Sequence, residues 1–370
     1  MALLFSVALS ILPLCVADAK EDSVDLDLKH RSFGKTQEDQ PVTLYTLSHS
    51  SGLQVSVTDH GATLVSLVVP DRQGKLADIV LGSETFEDYQ RGRYGAVIGR
   101  YANRIGNARF PLDGQEIRVT PNAGKHHIHG GRKGYARVLW KGKSLAQKGQ
   151  VGVEFSYVSQ DGEEGYPGKV TCRVTYWLTQ SHELKIHYQA TTDKPTVINL
   201  TNHAYFNLTG AGQGKIYDHM LHVDADSYTV SDEALIPTGE IRSVKNTPLD
   251  FTTPQTIGAR IDQLEQTRGY DHNYVFNDWD GTLRHRATVT DPVTGRVMEM
   301  LTTEPGMQLY TANHFQNVPG RQGTSYQQHD AFCLETQHFP NSPNIPHFPS
   351  TVLRPDRPFD SVTVFRFSTQ

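Results

Sequence analysis

His203 and Glu335 are the two residues of this sequence whose types and surroundings most clearly suggest proton-transfer chemistry. His203 lies in a β-favouring run, residues 199–210, that is rich in Asn, Thr and Tyr and ends in a glycine-rich turn. Polar neighbours of this kind can fix one ring nitrogen of a histidine and leave the other for a ligand. The alternative is a polar strand end whose histidine only satisfies its neighbours. A second group of matching chemistry is therefore needed before the histidine indicates a site.

Glu335 supplies such a group. It lies in residues 332–341, which open as an apolar strand and end in a proline-rich loop. A carboxylate in an apolar strand is costly unless it has a partner, so Glu335 either faces solvent or has a function. It shares one face of the strand with Cys333 and Gln337, and it points inward only if that face lines a polar cleft. A carboxylate and an imidazole together can act as general base and general acid.

Three further stretches place polar side chains at predicted strand ends or turns. An amide and a guanidinium, Asn103 and Arg104, lie side by side between the glycines of residues 99–106. Asp271 is an acceptor flanked by aromatic residues, and Gln308 follows a proline-glycine turn. Each stretch therefore offers hydrogen-bonding groups to a ligand.

A histidine-rich run, HHIH, precedes Gly130 and Gly131 and allows a metal interpretation. His127 and His129 would point to the same side of a strand. A zinc site also needs a third protein ligand and groups that orient the first ones, and no Cys pair or H-E-x-x-H pattern supplies them. The two glycines fit better with a tight turn that lets a small ligand approach the backbone, so the sequence favours a site without a metal.

Short strand-like runs follow one another from residue 42 to the C-terminus, and several alternate apolar with polar residues, as half-buried antiparallel strands require. The predicted strands are 42–47, 53–58, 63–69, 116–120, 152–159, 170–178, 183–191, 220–223, 286–290, 298–301, 307–312 and 362–367. Two short helices are predicted over 84–89 and 256–263. Because no helices of ten residues alternate with the strands, the sequence predicts an all-β fold, a large antiparallel β-sandwich or related closed sheet over residues 41–370.

The first forty residues are predicted to lie outside this domain. Residues 1–19 combine a short apolar run with a small-x-small cleavage site, as in a secretory signal peptide. We therefore expect a secreted protein, with an uncleaved anchor as the alternative. Because no Lys or Arg precedes the apolar run, a eukaryotic secretory route is favoured. Residues 20–40 are charged and poor in large apolar residues, which predicts a mobile lead-in, with order beginning near Pro41.

Composition and missing motifs argue against several functional classes. The formal net charge is −5 and no cluster of Lys and Arg is present, which disfavours nucleic acid as a partner. No G-x-S-x-G elbow, phosphate-binding loop or complete G-x-G-x-x-G after a strand is present. The adjacent Glu163 and Glu164 could suggest a glycosidase pair, but their Gly/Pro-rich surroundings favour a solvated loop. Signal cleavage would leave Cys172 and Cys333, either as buried thiols or as one bridge.

Seven motifs, taken in order, resemble those of the aldose 1-epimerase (galactose mutarotase) family. They are GRYANRIG, HIHGG, GEEGYPG, NLTNHAYFNL, GYDHN, TTEPGMQ and LETQHFPNSPN. The resemblance runs from about residue 41 to the C-terminus. It implies the galactose mutarotase-like supersandwich fold. It also implies an enzyme that interconverts the α and β anomers of free aldohexoses, galactose and glucose especially, without a cofactor.

The resemblance also implies roles for individual residues. Glu335 matches the family's catalytic base and His203 its catalytic acid. The family's sugar-binding positions are matched by Asn103, Arg104, His129, Asp271 and Gln308. The expected partner is a small-molecule aldose, with no nucleic acid, no membrane after signal cleavage, and a monomeric or weakly dimeric chain. Secretion departs from the cytosolic family members, which leaves the physiological aldose open. A non-catalytic sugar-binding protein and a glycoside hydrolase or lyase on the same sandwich are the alternatives.

Overall fold

Antiparallel β-strands dominate the computed structural model, which describes residues 25–91 and 94–370. The first ten strands are β1 (Leu26–Lys35), β2 (Pro41–His49), β3 (Gln54–Thr58), β4 (Thr63–Pro70), β5 (Leu76–Asp78), β6 (Val97–Ile98), β7 (Arg104–Ile105), β8 (Arg109–Leu112), β9 (Gln115–Arg118) and β10 (His127–Ile128). The next ten are β11 (Lys141–Gln147), β12 (Gln150–Ser159), β13 (Val170–Thr179), β14 (Glu183–Thr192), β15 (Thr196–Val197), β16 (Thr201–Asn202), β17 (Met220–Val223), β18 (Ser227–Ser231), β19 (Pro237–Ser243) and β20 (Gln255–Thr256). The last nine are β21 (Asp271–Val275), β22 (Arg284–Thr290), β23 (Arg296–Thr302), β24 (Gly306–Tyr310), β25 (Val318–Pro319), β26 (Ser325–Tyr326), β27 (Cys333–Gln337), β28 (Val352–Leu353) and β29 (Phe359–Thr369).

Three sheets carry most of the fold. The N-terminal sheet has the strand order β1-β2-β3-β4-β5, and the large sheet has the order β11-β12-β13-β14-β29-β23-β22-β17-β20. The third, here called the site sheet, has the order β19-β18-β21-β24-β27. Their neighbouring strands pair antiparallel. Apolar side chains of all three sheets, such as Leu67, Tyr176 and Leu309, meet in one core. The all-β prediction is confirmed.

Strands were predicted well where the alternation of apolar and polar residues was clear. β13 and β14 lie within one residue of the predicted 170–178 and 183–191, and β17 coincides with 220–223. In β14, every second residue from Leu184 to Ala190 is buried. This period of two is the pattern of a strand with one face on the core.

Helices contribute little to the described residues. The predicted helix at 84–89 corresponds to α1 (Phe86–Arg91), whereas the predicted 256–263 contains two short 3₁₀ turns. Gly258 lies inside that stretch, which is too short to sustain a helix against the cost of nucleation. The 3₁₀ turns are Gly106–Ala108, Tyr135–Arg137, Glu163–Gly165, Ile257–Ala259, Ile261–Gln263, Arg321–Gly323 and Ser342–Asn344. No helix among the described residues is long and apolar enough to cross a membrane.

The segment that precedes β2 differs from the sequence prediction. A mobile lead-in was predicted for residues 20–40, but β1 pairs along its length with β2. Leu26 is buried and Phe33 packs against a cluster beside the main core. Most other β1 side chains are exposed because this is an edge strand, and charged edges disfavour pairing with another chain. The lead-in prediction is therefore wrong for β1, and residues 1–24, with the predicted signal peptide, lie outside the described residues.

Arg100 fixes the backbone next to the candidate site. Its side chain is buried and donates hydrogen bonds to Ser159 Oγ (2.6 Å) and to the carbonyl oxygens of Pro167 (2.9 Å) and Gly168 (3.0 Å). The guanidinium carbon also lies 5.4 Å from the ring centroid of Tyr166. One buried cation therefore ties a long loop to the segment that carries two predicted sugar-binding residues.

We expect Arg100→Met to lower the free energy of unfolding by about 3 kcal/mol, because it leaves several buried oxygens without donors. Urea unfolding followed by circular dichroism measures this change. The matched control is Arg118→Met, at an exposed arginine of β9, which should change the same free energy by less than about 0.5 kcal/mol. Equal losses in the two variants would contradict a structural role for the buried guanidinium.

Candidate active site

The site sheet presents a row of polar side chains on one face. Cross-strand register places Asn273 of β21 opposite Gln308 of β24, and Gln308 opposite Glu335 of β27. Directly opposed residues of antiparallel strands point to the same face. Asp271 precedes Asn273 by two residues and therefore shares that face. Three motifs that are distant in sequence are thus brought side by side by strand pairing.

Short, irregular segments bring the remaining candidate side chains to this row. The backbone N–H of Asn103 donates to Nδ1 of His129 (3.1 Å), and Nη1 of Arg104 lies 3.4 Å from Oδ1 of Asn103. The rings of His129 and His203 are 5.4 Å apart between centroids. One nitrogen from each of these two histidines and one oxygen of Glu335 all lie within 4.8 Å of one another. The predicted site residues therefore lie together in one cluster.

Glu335 and His203 are in direct contact. The distance from Oε1 of Glu335 to Nε2 of His203 is 3.6 Å, and the two residues are only 2% and 7% exposed. Nδ1 of His203 lies 3.5 Å from Sγ of Cys333, and the imidazole stacks on Tyr205 with 4.9 Å between ring centroids. These contacts aim Nε2 at the carboxylate. Glu335 and His203 are therefore close enough to act as a pair.

Two asparagines that precede His203 hold this segment through hydrogen bonds to neighbouring backbone. Nδ2 of Asn202 donates to the carbonyl oxygen of Gly95 (2.6 Å), and Nδ2 of Asn199 donates to that of His338 (3.1 Å). Both asparagines are buried. The asparagines of the NLTNHAYFNL motif therefore help to position His203 by fixing the backbone around it.

Cys172 and Cys333 are buried free thiols, so they are not joined by the bridge that the sequence left open. Cys172 packs in the main core, whereas Cys333 lies beside His203. Burial raises the pKa of the Cys333 thiol well above its usual range, and the nearby Glu335 raises it further. Cys333 therefore stays a neutral thiol that packs against the imidazole.

Burial raises the pKa of the Glu335 carboxyl to about 8. The negative charge of Asp271 acts in the same direction, whereas the positive charge of Arg104 lowers this pKa. Asp271 is itself held by Gln308, whose Nε2 donates to Oδ1 at 2.6 Å. A carboxyl with a pKa this close to neutrality can both take up and release a proton during a reaction.

Asn273 belongs to the site although the sequence analysis did not select it. Its side chain is buried, and neither of its amide atoms has a hydrogen-bond partner among the described residues. Oε1 of Gln308, Oε2 of Glu335 and both amide atoms of Gln337 are in the same condition. Each such atom costs about 1–3 kcal/mol unless a ligand or water satisfies it. The sequence could have identified Asn273 by its spacing of two residues from Asp271, which places both side chains on one face of a strand.

Comparison with known proteins agrees with this geometry. The family profile described as aldose 1-epimerase matches residues 43–366. The chain belongs to the aldose 1-epimerase family. A galactose mutarotase from Bos taurus is 43% identical over 322 residues, which cover 86% of this chain and 92% of the relative. An aldose 1-epimerase from Escherichia coli (strain K12) is 34% identical over 335 residues, 89% of this chain and 96% of the relative.

A solved structure extends the family relationship to the fold. The galactose 1-epimerase from Lactobacillus acidophilus NCFM superposes with a TM-score of 0.82 at 25% identity, covering 93% of this chain and 99% of that chain. The resemblance inferred from the seven motifs is therefore confirmed, and with it the mutarotase-like sandwich.

His127 and His129 do not form the shared site that the HHIH run allows. β10 ends before His129, whose φ is +52°, so the alternation of a strand does not apply. His127 bonds through its two ring nitrogens to a backbone carbonyl oxygen (2.6 Å) and to Oη of Tyr166 (2.6 Å). His129 instead joins His203 and Glu335. Two imidazoles and a carboxylate are donor types found in zinc sites, and they are equally suited to sugar hydroxyls.

Glu163 and Glu164 support loops beside the site. Oε2 of Glu163 accepts a hydrogen bond from the Tyr157 hydroxyl (2.8 Å), and Oε1 of Glu164 accepts one from the backbone N–H of Lys133 (2.7 Å). The Glu164 carboxylate also occupies the space that a Cβ at Gly131 would need. The predicted solvated loop therefore differs in one respect: both carboxylates accept hydrogen bonds. Glu164 in addition packs against the turn next to His129.

Proposed function

We propose that this member of the aldose 1-epimerase family interconverts the α and β anomers of free aldohexoses, galactose and glucose above all. One observation carries the proposal. The carboxylate of Glu335 and the imidazole of His203 lie 3.6 Å apart in a buried cluster, and polar atoms of the neighbouring Asn273, Gln308 and Gln337 lack hydrogen-bond partners among the described residues. Family membership alone supports a fold and a reaction class, whereas this pair supplies groups that can move the two protons.

Anomerisation needs one base and one acid. The base takes the proton from the C1 hydroxyl while the acid protonates the ring oxygen O5, and the C1–O5 bond breaks to give the open-chain aldehyde. Rotation about C1–C2 presents the other carbonyl face. Ring closure then runs the two proton transfers in reverse, so both groups return to their starting states. Because both oxygens are bonded to C1, a carboxylate and an imidazole in contact with each other can serve them both.

The proposal assigns the base to Glu335 and the acid to His203. The hydroxyls of the sugar would be held by Asn103, Arg104, His129, Asp271 and Gln308. These residues supply both hydrogen-bond donors and acceptors, as a polyhydroxylated ring requires. Holding the remaining hydroxyls keeps the open chain in place until it recloses, which favours ring closure over escape of the aldehyde.

Polarimetry of freshly dissolved α-galactose or α-glucose tests the function. We expect the purified protein to speed relaxation to the equilibrium rotation while the sugar concentration stays constant. A glycoside hydrolase or lyase would instead release new reducing ends from an oligosaccharide, and a sugar-binding protein would do neither. Rates with galactose, glucose, xylose and arabinose then rank the aldoses.

The proposed base role predicts the pH dependence of the reaction. Glu335 accepts a proton only when it is ionised, and its pKa is raised to about 8. We therefore expect kcat/KM to rise with pH as this carboxyl ionises and to fall again at higher pH as His203 loses the proton that it must donate, after subtraction of the spontaneous rate at each pH. A profile that is flat from pH 5 to 8 would contradict the role of this carboxyl as the base.

Two charge-neutralising variants test the electrostatic origin of the raised Glu335 pKa. Asp271→Asn removes the negative charge that raises the Glu335 pKa, so the acidic limb should move to lower pH. Arg104→Gln removes the positive charge that lowers it, so the limb should move to higher pH. Both variants will also raise KM, but the midpoint of the limb is read independently of its height. Shifts in the same direction would contradict the electrostatic account.

Secretion remains part of the proposal and rests on the apolar run and cleavage motif of residues 1–19. We expect expression in a eukaryotic secretory host to release a protein whose mass and N-terminal sequence show loss of this segment. Retention of the full chain in the cell would contradict it. Sedimentation of the released protein would show whether it is the monomer or weak dimer that we propose.

A further inference from the structure

A second cleft opens beyond the C-terminal end of β27. Its volume is about 250 Å³, which suits a ligand smaller than a typical drug molecule. The residues that matter for its chemistry are Trp279, Glu304, His338, Thr351, Arg357 and Asp360. None of them belongs to the group around Glu335 and His203. The cleft is therefore a separate recess that the proposed reaction does not use.

Trp279 forms an exposed aromatic wall of this cleft. It is 39% exposed, whereas the other two tryptophans of the chain, Trp140 and Trp177, are 2% and 7% exposed. Its Nε1–H donates to the carbonyl oxygen of Thr303 (2.8 Å), and its ring packs edge-to-face against His338 with 6.0 Å between centroids. Because the indole N–H is engaged and the ring is held on one side, what remains for a ligand is a flat apolar surface.

Polar groups surround this wall. Thr351 is 4% exposed, and its hydroxyl lies against that of the buried Tyr101. Nδ1 of His338 bonds to Oε2 of the buried Glu304 at 2.7 Å, which fixes the imidazole at the floor of the cleft. The side chain of Arg357 is exposed and makes no hydrogen bond or ion pair within the parts of the chain described. The exposed carboxylate of Asp360 already accepts from Nε2 of His187 (3.0 Å) and Nε2 of Gln189 (3.0 Å), which leaves part of its acceptor capacity for a ligand. Donors and acceptors therefore both face the recess.

We propose that this cleft is a second, non-catalytic saccharide site that stacks one pyranose ring of a glycoside on Trp279. A pyranose has one face of C–H groups, which fits an aromatic plane, and a rim of hydroxyls that need both donors and acceptors. Arg357 offers free donors, and Asp360 offers the acceptor sites that His187 and Gln189 leave open. The buried carboxylate of Glu304 is committed to His338, so the cleft binds without offering a free acid–base pair. This inference does not depend on the proposed epimerase function.

Intrinsic tryptophan fluorescence tests the site directly. Because Trp140 and Trp177 are buried, shielding from acrylamide quenching reports on Trp279. The probes are methyl β-D-glucopyranoside and methyl α-D-galactopyranoside, which are locked at C1 and cannot anomerise. We expect both glycosides to shift the emission and to reduce quenching in a saturable manner. Sorbitol, which is acyclic and has no ring face, is the matched control and should have no effect at equal concentration.

Calorimetric titration of variants locates the binding. We expect Trp279→Ala to weaken glycoside binding at least about fivefold. Tyr217→Ala removes an exposed aromatic residue outside the cleft and should leave binding unchanged. Arg357→Gln, at an exposed position, provides a test that does not depend on folding of the tryptophan variant. The kcat and KM for galactose should stay within twofold of wild type in Trp279→Ala.

Two results would overturn the proposal. One is a fluorescence response that is absent, or that sorbitol reproduces. The other is glycoside binding that Trp279→Ala and Arg357→Gln both leave intact, which would place the sugar at the cluster around Glu335 alone. Loss of epimerase activity in the whole protein would contradict the proposed function and leave this site unaffected, so the two failures can be told apart.

Discussion

Glu335→Gln is expected to lower kcat for anomerisation of galactose at least about a hundredfold, because an amide of the same shape cannot accept the C1 hydroxyl proton. The substitution keeps the size of the side chain next to Gln308, its cross-strand neighbour on the site sheet. It also removes a carboxyl whose burial is costly, so the fold should be retained. Polarimetric relaxation rates at several sugar concentrations separate the effect on kcat from that on KM.

A matched control for this variant is Glu299→Gln on the large sheet. Glu299 pairs with Arg366 at the surface and lies on a different sheet from Glu335, so kcat of this variant should stay within twofold of wild type. Circular dichroism and the thermal midpoint verify that both variants are folded. Near-wild-type relaxation with a folded Glu335→Gln enzyme would remove this residue from the base role.

His203→Asn is expected to cause a loss of similar size, at least about a hundredfold in kcat. Asparagine can donate a hydrogen bond to the ring oxygen but cannot deliver a proton to it at neutral pH. The substitution also removes the stacking on Tyr205, so a structural explanation has to be separated from a chemical one. The control is His222→Asn, at a histidine of β17 in the large sheet, which should leave kcat unchanged.

Chemical rescue makes this separation. In His203→Gly the missing ring leaves a space into which added imidazole can diffuse, and we expect part of the lost rate to return in proportion to imidazole concentration, after subtraction of the reaction catalysed by imidazole in solution. A purely structural role would give a loss that imidazole does not restore. Wild-type kinetics in His203→Asn would equally rule out the acid role.

Local sequence patterns were enough to find most strands, because alternation has a period of two and needs only neighbouring residues. β13, β14 and β17 are examples. β1 was missed because local patterns do not report on pairing with a distant strand. Its exposed side of charged residues resembles a disordered lead-in, and what makes it a strand is pairing with β2 at the edge of a sheet. The position of β29 between β14 and β23 likewise depends on contacts between distant segments.

The members of the site were predictable as residue types, whereas their arrangement was not. Asp271, Gln308 and Glu335 were selected from motifs, but only the register of β21, β24 and β27 shows that they lie on one face. Asn273 stands two residues after Asp271 on that same face, so a stricter use of strand alternation would have found it. The alternative that places His127 and His129 on one side of a strand does not hold, because β10 ends before His129, whose φ is positive.

The double variant Glu335→Gln/His203→Asn tests the central claim most directly, since the claim is that the two groups act together on one proton-transfer step. If they do, removing the second group costs little once the first is gone, and kcat of the double variant should fall about as far as in the more damaged single variant. Polarimetry with α-galactose supplies all three rates. Losses that multiply would show that the groups act independently and would contradict the account.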